Sequence, residues 1–134
     1  MEAMFVIRQE QIQILRETLF RSQLEDHLSA SCGALVSHLT AAEFQCRLDY
    51  ALGIARGYGF DAPDSQQAAL VTLLFHTGPL FHRHPAMRAV LDERSCPPGE
   101  RIARLFSETS AWAWAAVTDP GDEAWQRALG EGGG

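Results

Sequence analysis

The chain contains no lysine: its eleven cationic residues are all arginine, and they are scattered along 134 residues. Nucleic-acid binding needs clustered cations, because neutralising phosphates supplies most of the non-specific affinity. A formal net charge of −6 without a cationic cluster therefore excludes nucleic acid as an expected partner. The arginines favour protein contacts slightly, since guanidinium groups suit interfaces better than ammonium groups do.

Long apolar runs are also missing. No segment approaches the roughly 20 apolar residues that cross a bilayer. The N-terminal sequence has too short an apolar run for a signal peptide and no basic region before it. We therefore expect a cytoplasmic protein that does not insert into a membrane.

Cysteine is scarce. Cys32, Cys46 and Cys96 are odd in number and show no CxxC spacing, which is typical of reduced thiols. A chain of this length buries roughly two thirds of its unfolded surface without a metal or disulfide. We predict neither a disulfide nor a cofactor.

Helical periodicity dominates what is present, so we predict an all-α fold: a single-domain irregular or orthogonal bundle of five helices, with a sixth left open. The first helix is predicted over residues 8–37, with Gly33 as a weak point where it bends or breaks. Its apolar residues recur at steps of three, four and five, which predicts one buried face. They are Ile12, Leu15, Leu19, Leu24, Leu28, Cys32 and Leu35.

The ends of the next two helices carry local signals. Thr40 and Glu43 form a capping-box pattern before a helix that starts at Ala41. Asp64 or Ser65 is predicted to cap the third helix, with Gln67 placed to complete a second box if Asp64 is the cap. Residues 68–75 are nearly all apolar, which predicts the centre of the core, and Thr77-Gly78-Pro79 ends that helix.

Two further helices follow. Pro85 is predicted to open a short helix to about Glu93. The fifth helix is predicted from Glu100 to Val117, with six residues facing inward. These are Ile102, Leu105, Phe106, Thr109, Ala113 and Val117. Residues 1–117 thus form the bundle domain, and residues 118–134 an acidic, Gly-rich tail in which a short helix anchored by Trp125 and Leu129 is left open.

Three histidines, His76, His82 and His84, lie within nine residues across the predicted turn. Imidazole is the commonest protein metal ligand, so one hypothesis is a metal-dependent enzyme that uses this cluster. No HExxH motif and no carboxylate accompany it. The alternative is structural: a cation at a helix C-terminus and two caps on the turn.

Trp112, Trp114 and Trp125, with Phe5 and Tyr58, suggest binding, because aromatics and arginine are enriched at interface hot spots. We predict the three tryptophans as partner-binding residues. A partner would lie in a groove between the first and fifth helices, anchored by whichever of Trp112 and Trp114 points outward. The alternative, that these rings fill the core, stays open.

Four segments together resemble a family of short, uncharacterised helical proteins encoded beside type VI secretion and toxin-effector genes in Gram-negative bacteria. The segments are residues 7–12, 47–60, 74–85 and 102–106, and the resemblance covers roughly residues 4 to 116. Members favour acidic residues where this chain has His82 and His84.

The resemblance implies a non-enzymatic accessory role. The chain would be an adaptor or chaperone for a secreted effector, docking that effector or a spike component, or else an immunity protein that binds a toxin. The resemblance supplies no catalytic residues. Whether the chain forms a homodimer is left open.

Overall fold

The computed structural model describes residues 9–132, and this range is all-α: it holds eight α-helices, one 3₁₀ turn and no strand. The helices are α1 (Gln9–Ser31), α2 (Gly33–Val36), α3 (Ala41–Gly57), α4 (Ser65–Thr77), α5 (Pro85–Leu91), α6 (Pro98–Glu108), α7 (Ala111–Val117) and α8 (Asp122–Gly132), with the 3₁₀ turn at Phe81–Arg83. Within this range, no helix has both the length and the apolar character needed to cross a bilayer. The all-α prediction is confirmed, but the predicted number of helices is wrong.

Two of the predicted helices are each divided. The first ends at Ser31, because Cys32 leaves the helical conformation (φ −119°, ψ 25°) just before the weak point predicted at Gly33. The fifth is interrupted at Thr109, which is extended, and Ser110 then caps α7 by accepting a hydrogen bond from the backbone N–H of Ala113. The helix left open in the tail forms as α8.

The predicted starts of α3 and α4 are confirmed, with one difference. Thr40 and Glu43 form the reciprocal capping box, and its hydrogen bonds lower the pKa of Glu43. Asp64 accepts from the backbone N–H groups of residues 66 and 67. The second box is wrong, since Gln67 is buried and its Nε2 donates to the carbonyl oxygen of Phe60 at 2.7 Å instead.

The centre of the core is α4, as predicted. Leu70, Val71 and Leu74 are fully buried, and Phe75 is 1% exposed. The helices α3, α6 and α1 pack around α4. An apolar helix with neighbours on several sides is thus the scaffold on which the surfaces described below are built.

The end of α4 is shaped by Gly78, whose φ of +120° is a conformation that side chains disfavour. A Cβ there would lie 2.3 Å from the carbonyl oxygen of Asp119. The backbone N–H of Asp119 donates to Thr77 O at 2.8 Å. Glycine therefore lets the segment after α7 close onto the end of α4.

This contact directs α8 into the main core. Trp125 is 1% exposed and packs against Phe75 and Tyr50, with ring centroids 5.2 and 5.7 Å away. Arg47 lies over the Trp125 ring and donates to Asp122 at 2.9 Å. The segment after Val117 is therefore an integral part of the bundle as far as the structure describes it, and the predicted boundary between residues 117 and 118 does not separate two packing units.

Replacing Leu74 with Ala should lower the free energy of unfolding by about 2–5 kcal/mol, because a fully buried side chain is lost and a cavity remains. Leu73 is the matched control on the same helix, since it is only partly buried. We expect Leu73→Ala to cost clearly less. Urea denaturation of both variants measures the difference, and equal losses would contradict the assignment of the core face.

Candidate functional site

The three histidines lie in three separate environments. His76 is exposed in the last turn of α4, and His82 is buried. His84 caps α5 by accepting from Ala86 N at 3.1 Å. Within residues 9–132, no group of three His, Cys, Asp or Glu side chains is arranged to hold a metal ion. The hypothesis of a metal cluster at His76, His82 and His84 is therefore wrong, because closeness along the chain did not bring the rings together.

His82 is held between two tyrosines. Its Nδ1 lies 3.1 Å from the Tyr58 hydroxyl, and its Nε2 lies 3.4 Å from the Tyr50 hydroxyl. Tyr50 in turn donates to the carbonyl oxygen of Pro79. Burial, together with the charge of Arg83, lowers the pKa of His82 to about 4. The neutral ring thus ties the 3₁₀ turn to α3, which is a structural role.

The three tryptophans also lie in three different environments. Trp112 is 87% exposed, as expected of a binding residue. Trp114 is half-buried and stacks between Phe81 and Phe106, with centroids 5.8 and 5.6 Å away. The prediction that Trp125 contacts a partner is wrong, because its ring fills the core between α3, α4 and α8. Phe5 lies outside the described residues.

An open groove of about 580 Å³ runs along the side of α4 that its neighbours leave uncovered. We call it the α4 groove. It lies between α1 and α6, and a smaller hollow at Phe20, Gln23 and Leu24 continues it along α1. It is lined by His27, Ser65, Ala68, Ala69, Thr72, Leu73, His76, Ile102 and Phe106.

Phe106 is the residue of this groove that sequence reasoning misplaced. The sequence predicts that Phe106 faces inward beside Leu105, but only Leu105 is buried, while Phe106 is 61% exposed. Adjacent helical residues point about 100° apart, so the two could not share one face. Trp114 stacks on the Phe106 ring and braces it at the rim of the groove.

A second apolar surface lies on the first half of α1. None of residues 9–19 is buried, and Leu15 and Leu19 are 54% and 61% exposed. The predicted single stripe is therefore wrong for this half. A helix turns about 100° per residue, so the five-residue step from Leu19 to Leu24 rotates the stripe by about 140°. We call residues 9–19 the arm, and Ile12, Leu15 and Leu19 the arm stripe.

One polar cluster lies outside both surfaces. Asp122 contacts His38 and Arg47, each at 2.9 Å, and these contacts lower the pKa of Asp122. Cys46 is exposed and lines a separate small hollow together with His38, Arg47 and Asp122. The Nε2 of His38 faces Asp122. The cluster holds α8 against α3, and no nucleophile with an adjacent base is formed by these contacts.

Compared with protein-family models, with curated proteins and with solved structures, the chain matches none of them. The α4 groove and the arm are therefore the candidate functional surfaces.

The buried His82 predicts acid-sensitive stability. Because its pKa is lowered from about 6.5 to about 4, the unfolded chain binds a proton in this interval that the folded chain does not. The free energy of unfolding should therefore fall as the pH drops from about 6.5 to about 4, by up to about 3 kcal/mol from this group.

Urea denaturation across this pH range tests the prediction. His82→Gln should flatten the slope between pH 6.5 and 4, because glutamine does not titrate. Ser110→Ala is the control: it removes the α7 cap and should lower stability, yet keep the slope, because serine does not titrate. An unchanged slope in His82→Gln would show that other groups cause the acid sensitivity.

Proposed function

We propose that the protein is a non-enzymatic accessory protein that binds an amphipathic helix of a partner protein in the α4 groove. The observation that carries this proposal is the apolar, open groove itself. Ala68, Ala69, Leu73, Ile102 and Phe106 supply its apolar lining. Contiguous exposed apolar surface of this kind typically marks an interaction site.

The shape of the groove favours a helix as the occupant. Ala68 and Ala69 are small, so the backbone of a partner helix can approach α4 closely at these positions. Leu73 lies further along the groove and the exposed ring of Phe106 stands at its rim, where side chains spaced by three or four residues would contact them. The four polar residues of the lining offer hydrogen bonds to the edge of such a helix; they are His27, Ser65, Thr72 and His76.

Charge favours a partner of one kind. The chain carries a formal net charge of −6, so a basic or neutral helix would approach faster than an acidic one. Electrostatic attraction of this type acts mainly on the association rate and weakens with salt. We therefore expect an amphipathic helix with a basic polar face.

The resemblance to proteins encoded near type VI secretion genes suggests which kind of protein the partner is. It would be a secreted effector or a spike component, with this protein as adaptor or chaperone. A toxin whose activity the protein blocks would make it an immunity protein instead. The exposed Trp112, which stands on α7 next to α6, is proposed as a further anchor for the same partner.

We expect Phe106→Glu to abolish capture of the partner, because it places a charge on the apolar rim. Trp112→Ala should weaken capture by about 1–2 kcal/mol, the range of a typical hot-spot aromatic. Tagged protein is used to capture partners from the native host, the captured protein is identified by mass spectrometry, and its affinity for each variant is then titrated.

Ile14→Glu is the matched control for Phe106→Glu, because the two residues are equally exposed, at 62% and 61%, and stand on different surfaces. We expect it to bind like the native chain. If an effector or spike component is captured equally well by Phe106→Glu, the groove is not the site. Histidine-dependent hydrolysis of ester, phosphate or peptide substrates would overturn the non-enzymatic assignment.

A further inference from the structure

The arm carries an apolar face that the described structure leaves largely uncovered: Leu15 and Leu19 are more than half exposed, and Ile12 is partly buried. Ile12, Leu15 and Leu19 lie within about 60° of one another around α1. Leu24 and Leu28, which anchor α1 in the core, lie on roughly the opposite side of the helix. The arm stripe therefore faces away from the body of its own chain.

The arm and the residues of α1 that wall the α4 groove follow each other along α1. The groove is walled on the α1 side by His27, and its continuation is walled by Phe20 and Gln23, immediately after the arm ends at Leu19. If two copies of α1 run antiparallel and cross near Leu19 and Phe20, each arm lies along the groove wall of the other copy. In a dimer with two-fold symmetry, both arm stripes are then covered and both grooves are filled.

We propose that a second copy of this chain occupies the α4 groove, through a reciprocal exchange of the α1 arms. This proposal rests on the proposed function, because both require that the groove accepts an amphipathic helix. The arm is such a helix: the arm stripe presents aliphatic side chains at spacings of three and four residues, the pattern that groove-binding helices use. The small Ala68 and Ala69 allow its close approach.

The area to be buried favours a second copy. Leu15 and Leu19 are more than half exposed and Ile12 is partly exposed, so the arm stripe and its flanks lose on the order of 300 Å² of surface. The groove that receives an arm loses less, on the order of 200 Å². Because each copy gives one arm and receives another, the exchange buries roughly 500 Å² per copy and about 1,000 Å² in total, which is the lower limit for a specific interface. One arm in one groove would bury only half of that.

The charges along the antiparallel pair agree with this register. Crossing near residues 19 and 20 places Arg16 beside Gln23 of the second copy and Ile12 beside His27 of the second copy. Arg21, the next arginine along α1, is already held by Gln45 and Asp49 of its own chain. The antiparallel pair of α1 helices therefore brings no like charges together, although two chains with a net charge of −6 each repel one another at long range.

The exchange of arms also regulates the access of a partner helix to the α4 groove. In the dimer, each arm shields the groove of the other copy from water. A partner helix must displace the arm, so binding of the partner and dissociation of the dimer are linked by mass action.

Sedimentation of the full-length chain over a concentration series tests the proposal. We expect a dimer for the native chain, and a dissociation constant raised by at least about tenfold in both Leu15→Glu, on the arm stripe, and Phe106→Glu, in the groove. Ile14→Glu is the matched control, because Ile14 is 62% exposed on the same arm but lies about 100° away from the stripe. It should leave the dimer unchanged. Circular dichroism of each variant verifies that these exposed positions do not affect folding.

A mixing experiment and a peptide probe separate arm-in-groove exchange from other modes of pairing. Leu15→Glu keeps its groove and Phe106→Glu keeps its arm, so an equimolar mixture should associate more tightly than either variant alone. A fluorescent peptide of residues 9–22 should bind the Leu15→Glu protein saturably, and it should not bind the double variant Leu15→Glu/Phe106→Glu.

The proposal is overturned if the native chain stays monomeric at 200 µM, a concentration on the order of 10⁻⁴ M at which only very weak pairs escape detection. It is also overturned if the dimer survives either substitution, or if Ile14→Glu disrupts it equally. Capture of an effector by the monomeric Leu15→Glu protein reports on the groove alone. The proposed function therefore stands if only the dimer fails, and it falls separately if Leu15→Glu captures nothing.

Discussion

Incomplete coverage of α4 is the constraint on which the rest of the structure depends. Leu70, Val71, Leu74 and Phe75 are enclosed by the bundle, whereas Leu73 remains at the surface between α1 and α6. A helix with a purely structural role carries polar residues on its outer side. Leaving apolar surface in water costs about 25 cal/mol per Å². The apolar part of the outer side of α4 therefore lowers the stability of the isolated chain, and the proposed occupant would cover it.

The parts of the fold that could be predicted from the sequence depend on contacts within a few residues. Thr40 and Glu43 satisfy each other across one helical turn, and Gly78 with Pro79 ends α4 regardless of what lies nearby. Gln67 is a residue at which such a local signal fails. Its spacing fits a capping box, but the buried carbonyl oxygen of Phe60 lies within its reach and receives its hydrogen bond instead.

The remaining features depend on partners that are distant along the chain. The sequence predicts Trp125 as a partner-binding residue of an acidic tail, yet the close approach of Asp119 to Gly78 brings α8 onto the bundle, where Trp125 packs against Phe75. His82 was grouped with its neighbours along the chain, whereas its actual partners are tyrosines more than twenty residues away. The steps within the α1 stripe did contain usable information. The step of five residues before Leu24 signals a change of face, so the sequence itself indicates that the arm does not share the buried face of the rest of α1.

The proposed exchange of arms would give self-association a particular character. In a reciprocal exchange each copy is held by two equivalent contacts, and neither alone buries the area of a stable interface. If a partner helix displaced one arm, the second contact would keep only half of the buried area, so the other arm would be released at little further cost. A competitor would therefore separate both copies after occupying one groove. The release of the two arms would thus be all-or-none, because each groove holds a single helix.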